Sequence, residues 1–139
     1  MSTDITTRTD VNTQIAETGI FSTVNASTME GKVAVYKALN DATPLRDVVG
    51  ETLSVKDVIV QRVEVETDEG DVVEQPRTSL ITSDGAAYSA TSNGVFSAVK
   101  NILGIFGHPS TWESPLKVVV EEKTTRRNAM YRYLTLSLA

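Results

Sequence analysis

Residues 51–66 read ETLSVKDVIVQRVEVE, and the architecture follows from them. The stretch carries Val55, Val58, Ile59, Val60, Val63 and Val65 with no Gly or Pro, the composition of a long β-strand. Its apolar phase is not constant. Leu53, Val55, Ile59, Val63 and Val65 share one parity, while Val58 and Val60 fall on the other. A strand that buries one face and then both is what a bent strand shared between two parts of a curled sheet requires.

Downstream, Thr67-Asp68-Glu69-Gly70-Asp71 is a polar turn, and a second strand is predicted over 72–82, with Pro76 marking an edge or bulge. Ser83-Asp84-Gly85 is a hairpin turn, because Asp-Gly supplies the positive φ such turns need. A third strand covers 86–90. Thr91-Ser92-Asn93 then offers helix N-caps. Val95, Phe96, Val99, Ile102, Leu103 and Phe106 follow in one apolar stripe of helical period, which Gly107 stops. A loop over 108–115 leads to strands over 116–123 and 129–138, joined by a turn at 124–128.

Upstream, Thr43-Pro44 looks like an N-cap with Pro at the first helical position, opening a short helical stretch that ends at Gly50. Residues 32–39 alternate weakly and fit either a short strand or a helical turn. Residues 1–31 are rich in Ser, Thr and Asn and sustain no period, so they read as an extended, flexible N-terminal tail, 1–31, before a folded domain, 32–139. Within the tail, Ile20, Phe21 and Val24 form a small apolar cluster with two readings: a contact for a neighbouring subunit, or a cap on the chain's own core.

The order is strand, strand, strand, helix, strand, strand. It predicts a mainly β protein, a five-stranded OB-fold Greek-key barrel with one helix between strands three and four, whose apolar stripe plugs the barrel's open end. Another small antiparallel barrel and an α+β sandwich are the structural alternatives.

Composition narrows the chemistry. With 139 residues the chain fits one domain with a tail. It has no Cys and a single His, His108, which excludes disulfides, thiolate nucleophiles and Cys- or multi-His metal sites. No apolar run approaches the roughly 18 residues of a membrane span, and no secretory signal is visible, so a cytoplasmic location is expected. No Walker-type phosphate loop, G-x-S-x-G or H-E-x-x-H occurs. The acidic run Glu64, Glu66, Asp68, Glu69 and Asp71 lacks EF-hand spacing and reads as a solvated turn. His108 stands where it caps carbonyls at a helix end. The expectation is a protein with no cofactor, metal or catalytic centre.

Net charge is −5, from 13 basic and 18 acidic residues. Residues 107–139 alone are basic, with five cationic side chains against three acidic. In the last strand Met130, Leu134, Leu136 and Leu138 share one side and Tyr131, Tyr133, Thr135 and Ser137 the other. In the strand before it, Leu116, Val118 and Val120 oppose Lys117, Val119, Glu121 and Lys123. Pairing the apolar sides sets Lys117 and Lys123 on the tyrosine face. The turn adds Arg126 and Arg127, and the first long strand adds Lys56 and Arg62. Rings flanked by cations on an open sheet suit single-stranded nucleic acid, DNA or RNA: a Tyr stacks on any base, and Lys and Arg neutralise phosphate. Ordinary exposed cross-strand pairs give the same pattern. Tyr88, Tyr36 and Trp112 are secondary candidates; Trp112, in a Pro-bounded loop, suits packing over the helix end.

Several phrases are familiar: Tyr36-Lys37-Ala38-Leu39-Asn40, Leu45-Arg46-Asp47-Val48-Val49-Gly50, Thr78-Ser79-Leu80-Ile81-Thr82-Ser83-Asp84-Gly85 with Tyr88-Ser89-Ala90-Thr91-Ser92, and Pro115-Leu116-Lys117 leading to Lys123-Thr124-Thr125. Together, over about residues 32–139, the chain resembles small single-stranded DNA-binding proteins encoded by bacteriophages and conjugative plasmids. The resemblance implies an OB-fold that coats single-stranded DNA during replication or transfer in a bacterial host. In some such proteins N-terminal tails link neighbouring subunits, which would make Ile20 and Phe21 anchors for self-association. The C-terminus, Leu134-Thr135-Leu136-Ser137-Leu138-Ala139, is a strand, unlike the acidic recruiting tail of bacterial housekeeping relatives. The rival expectation is an OB module of a virion or secretion complex that binds protein and no nucleic acid.

Overall fold

The valine-rich stretch forms one continuous strand with a kink. The computed structural model describes residues 19–124 and 132–139. In chain order the elements are β1 (Ile20–Ser22), α1 (Met29–Asn40), β2 (Thr43–Pro44) with a 3-10 turn over Leu45–Val48, β3 (Thr52–Glu66), β4 (Val72–Thr82) and β5 (Ala87–Ala90). Then come α2 (Asn93–Phe106), a second 3-10 turn (Pro109–Thr111), β6 (Leu116–Thr124) and β7 (Arg132–Leu138).

All seven strands among the described residues join one sheet, in the order β2-β5-β4-β3-β6-β7, with β1 added on β3. The protein is mainly β, as its pattern predicts, and the sheet curls into a half-barrel. Strand count departs from the expected five: β1 and β2, of three and two residues, carry few side chains and leave no period to read.

β3 holds the sheet together. Its start pairs with β6 (Leu53 opposite Val118) and its remainder with β4 (Val58 opposite Leu80). The phase change in the sequence is a β-bulge: Val55 faces Thr82 and Asp57 faces Ile81, leaving Lys56 as the extra residue. Leu53 and Val55 before the bulge, and Val58 and Val60 after it, therefore point into the same interior. Thr23 secures the bend. Its hydroxyl accepts from the Val58 N–H (3.0 Å) and donates to Asp57 (2.8 Å).

The main core lies inside the curl: Phe21, Leu45, Leu53, Val55, Val58, Val60, Leu80, Val118, Val120 and Leu136, closed from one side by Val95, Val99 and Leu103 of α2. α2 begins at Ser92, whose hydroxyl accepts from the Val95 N–H, and ends at Gly107, where φ is +76°. A second, smaller core on the outer face of β3 and β4 joins Ile59 and Ile81 to Ala38 of α1, with Ile20, Val24, Ala34, Val35 and Leu39 around it.

Residues 32–39, read as strand or helical turn, belong to α1, a full helix capped by Thr28, whose hydroxyl accepts from the Gly31 N–H at 3.0 Å. Its apolar residues spread round the whole circumference, so no single stripe announces it. The expected helical stretch after Thr43 is instead a two-residue strand followed by a 3-10 turn that places Leu45 in the core. The tail expected over 1–31 is folded from residue 20 onward. Ile20–Ser22 pairs with β3, Phe21 is 4% exposed inside the main core, and Ile20 and Val24 pack on the second. Of the two readings of that cluster, the structure shows the cap on the chain's own core. Residues 1–18 lie outside the described residues.

Candidate nucleic-acid interface

The interface builds from the β6–β7 register. Val120 faces Leu136 on the interior side; Lys123 faces Tyr133 and Glu121 faces Thr135 on the outer side. Outer-side residues of β6 continue through Val119 to Lys117, which lies beside Ser54 of β3. Lys117 and Lys123, six residues apart, are separated by roughly 20 Å along the strand. Both are exposed. One face thus offers a ring, a cation directly across from it and a second cation further along, with Glu121 between them.

Tyr133 is half-buried and stands at the edge of the sheet against the first turn of α2. A Cβ on Gly94 would lie 2.9 Å from the Tyr133 ring and 2.2 Å from the Leu134 carbonyl oxygen. Only glycine permits this approach. Two hydroxyls fasten the seam: Ser92 donates to the Leu134 carbonyl (3.0 Å) and Thr135 to the Gly94 carbonyl (3.4 Å). Between the exposed side of α2 and β7 runs an open groove of about 1200 Å³, lined by Asn93, Ser97, Asn101 and Ile105 on the helix and by Arg132–Leu138 on the strand. This groove has no signature in the sequence, because Ser97, Asn101 and Ile105 face β7 across open space only once α2 has docked.

The other predicted residues divide. Tyr131, Arg126 and Arg127 lie outside the described residues. Lys56, the bulge residue, is exposed. Arg62 is not on the tyrosine face: it shares the side of Val58 and Val60 and pairs with Glu74 at 3.4 Å. The bulge at Lys56 reverses parity between the two halves of β3, which is why the sequence pattern misplaced it. Tyr88 is also displaced from the proposed face; it stands opposite Leu80 on the interior side and packs against the main core. Trp112 packs on the core, its indole N–H reaching the carbonyls of Phe106 and Gly107 at the end of α2 (3.1 Å each). Among the described residues the His108 ring caps no carbonyl. Its Nδ1 accepts from the Ser110 N–H at 3.1 Å and starts the second 3-10 turn.

Charge is segregated more sharply than the segment totals show. Residues 62–74 hold six acidic side chains against one arginine, a net of −5, equal to that of the whole chain. The remaining residues sum to zero, and the segment of the last two strands among them is basic. An acidic total is therefore no obstacle to a phosphate-binding face at a distance from this arm.

Comparison with known proteins bears on the same question. No solved structure matches the chain. A curated single-stranded DNA-binding protein of Bacillus phage phi29 is 25% identical over 118 residues, covering 84% of this chain and 94% of the relative. The family model described as phage single-stranded DNA-binding protein matches residues 14–139, nearly the whole chain and every element described above. Matched over that span, this mainly β chain belongs to the phage single-stranded DNA-binding protein family.

Proposed function

We propose that the protein binds single-stranded DNA stoichiometrically during phage DNA replication in the bacterial host cell, with little dependence on sequence. The family match over residues 14–139 is the observation that carries this reading. The fold fits an OB barrel: the path β5-β4-β3-β6-β7 is its strand order, with α2 at the open end. In this reading the first turn of α2 fills the seam between β5 and β7.

DNA lies over the outer face of the β6–β7 hairpin. Tyr133 stacks on a base, and Lys123, directly across from it, meets the adjoining phosphate; Lys117 extends the track. Tyr131, two residues before Tyr133, is assigned to the same face by its sequence parity, and Arg126 and Arg127, between the two strands in the sequence, add positive charge to it. Stacking on one ring is worth about 1–3 kcal/mol per base and reads no sequence. Any joining of subunits through the tail falls to the residues before Gly19, since Phe21 is buried in its own domain.

The test is retardation of single-stranded DNA, duplex DNA and RNA at low salt by the wild type, Tyr133→Ala and Tyr133→Phe. Single-stranded DNA should bind best. Tyr133→Ala should weaken binding about 5- to 150-fold and Tyr133→Phe should preserve it. A folded Tyr133→Ala protein with undiminished affinity moves the DNA off this face. Failure of the wild type to retard single-stranded DNA ends the functional reading altogether.

A further inference from the structure

α1 is two-faced. At 100° per residue, Gly31, Ala34, Val35 and Ala38 share the side packed on the sheet. Met29, Val33 and Tyr36 form a stripe on the opposite side, and they are 75%, 44% and 65% exposed. Lys32 flanks the stripe on one side and Lys37 on the other, with Glu30 beside Lys37 near the helix start. Among the described residues nothing covers it. A contiguous apolar strip with cationic margins on a soluble domain calls for a partner with an apolar centre and acidic margins.

The chain itself carries that complement. Among the described residues, β1, β5 and β6 pair only with residues up to Gln61 of β3 and from Thr78 of β4, and the Arg62 N–H still donates to the Gly19 carbonyl (2.8 Å); beyond it residues 63–66 and 72–76 continue as a ribbon that pairs with no third strand. It projects by roughly 17 Å, enough to span the roughly 10 Å from Met29 to Tyr36. Val72 on the ribbon is 64% exposed. Around it stand Glu64, Glu66, Asp68, Glu69, Asp71 and Glu74, and Glu64 lies directly across from Glu74. Like charges in register oppose pairing, and among the described residues only Arg62, at the base of the ribbon, answers them. Seating the ribbon against lysines relieves that repulsion.

We propose that the outward face of α1 is the docking site for the acidic β3–β4 ribbon of a second copy of this chain. Two different surfaces meet, so the contact is head-to-tail and leaves a free α1 on one end and a free ribbon on the other. Such an interface does not close on itself; it propagates as an open row. A row is the arrangement that suits copies filling a single DNA strand, and that role rests on the proposed DNA binding. The contact between copies does not, and it is tested without DNA.

The chain lacks cysteine, so introduced thiols are unique. Val33→Cys and Val72→Cys are combined in one chain and treated with a short bis-maleimide at high protein concentration. A ladder of covalent oligomers is expected from the double variant, and a single 1:1 adduct from an equimolar mixture of the two single variants. Val33→Cys coupling to itself, or no ladder from the double variant, overturns the proposal. Lys32→Glu with Lys37→Glu should abolish the ladder, as should Glu66→Lys with Glu69→Lys, and combining all four reversals should restore it. On long single-stranded DNA each charge-reversed pair should lower cooperativity about tenfold while affinity for an oligonucleotide that holds one copy stays unchanged. A loss on that short oligonucleotide by Lys32→Glu with Lys37→Glu makes α1 a DNA contact and overturns the proposal. Absence of DNA binding by the wild type leaves the cross-linking result standing and fails only the functional reading.

Discussion

Replacing Gly94 by Ala pits two physical effects of opposite sign against each other. Gly94 is the second residue of α2, and its φ is not positive, so intrinsic propensity favours alanine by up to about 1 kcal/mol. Against this, the new Cβ would lie 2.2 Å from the Leu134 carbonyl oxygen and 2.9 Å from the Tyr133 ring. Restoring ordinary contact requires the first turn of α2 to retreat by roughly 1 Å. Backbone on one side and a packed core on the other leave little room for that, and overpacking of this kind costs about 1–3 kcal/mol. The retreat also weakens the hydrogen bonds from Ser92 to Leu134 and from Thr135 to Gly94, at about 1 kcal/mol each before water replaces part of the loss. The expected net is a destabilisation of about 2 kcal/mol, or a Tm lower by roughly 6–10 °C for a domain of this size. Thermal unfolding by circular dichroism measures it. Ser97→Ala on the exposed side of the same helix is the control, and it should raise Tm slightly because propensity acts there alone. A Gly94→Ala protein as stable as the wild type, or more so, refutes the docking of α2 on β7.

Three further outcomes are expected. Lys117→Gln with Lys123→Gln should lower the slope of log affinity against log salt by about 1.4, since each phosphate contact on a single strand contributes about 0.7; an unchanged slope removes both from the DNA track. Leu103→Ala, at a fully buried site in the core, should lower the urea-derived stability by about 2–5 kcal/mol. The Asp84 carboxylate is held below the usual carboxylate range, first by the Thr82 hydroxyl and then by the Ala86 N–H. Because its pKa is depressed in the folded state, its stabilisation is present above the unfolded value and disappears as pH falls through the folded one. The Tm difference between wild type and Asp84→Asn should therefore be seen at neutral pH and close below about pH 4; a gap constant with pH counts against the turn.

The strands β6 and β7 and the helix α2 were legible because each keeps one period; β3 was legible as a valine-rich run without Gly or Pro, and β4 by the polar turn before it and the Asp-Gly turn after it. Even the interruption was informative: the valines on mixed parity in residues 51–66 are the bulge at Lys56. α1 was not legible, since Met29, Val33 and Tyr36 on the exposed side and Ala34, Val35 and Ala38 on the buried side cancel any stripe. That Lys123 and Tyr133 share one face could be read from alternation, because both strands of the hairpin keep a period of two; that they stand directly opposite is set by the strand pairing.

Local pattern was enough for the long bent strand, the capped helix, the two sides of the last hairpin and the lack of cysteine chemistry, all properties of neighbouring residues. Tertiary structure decided the rest. It sent Phe21 and Tyr88 into or against the core, turned Arg62 to the opposite side from Tyr133 and opened the groove between α2 and β7. Each of these depends on which distant strand lies alongside. Pairing partners far apart in the chain are chosen by the burial of the whole core, and local periodicity carries no information about that choice.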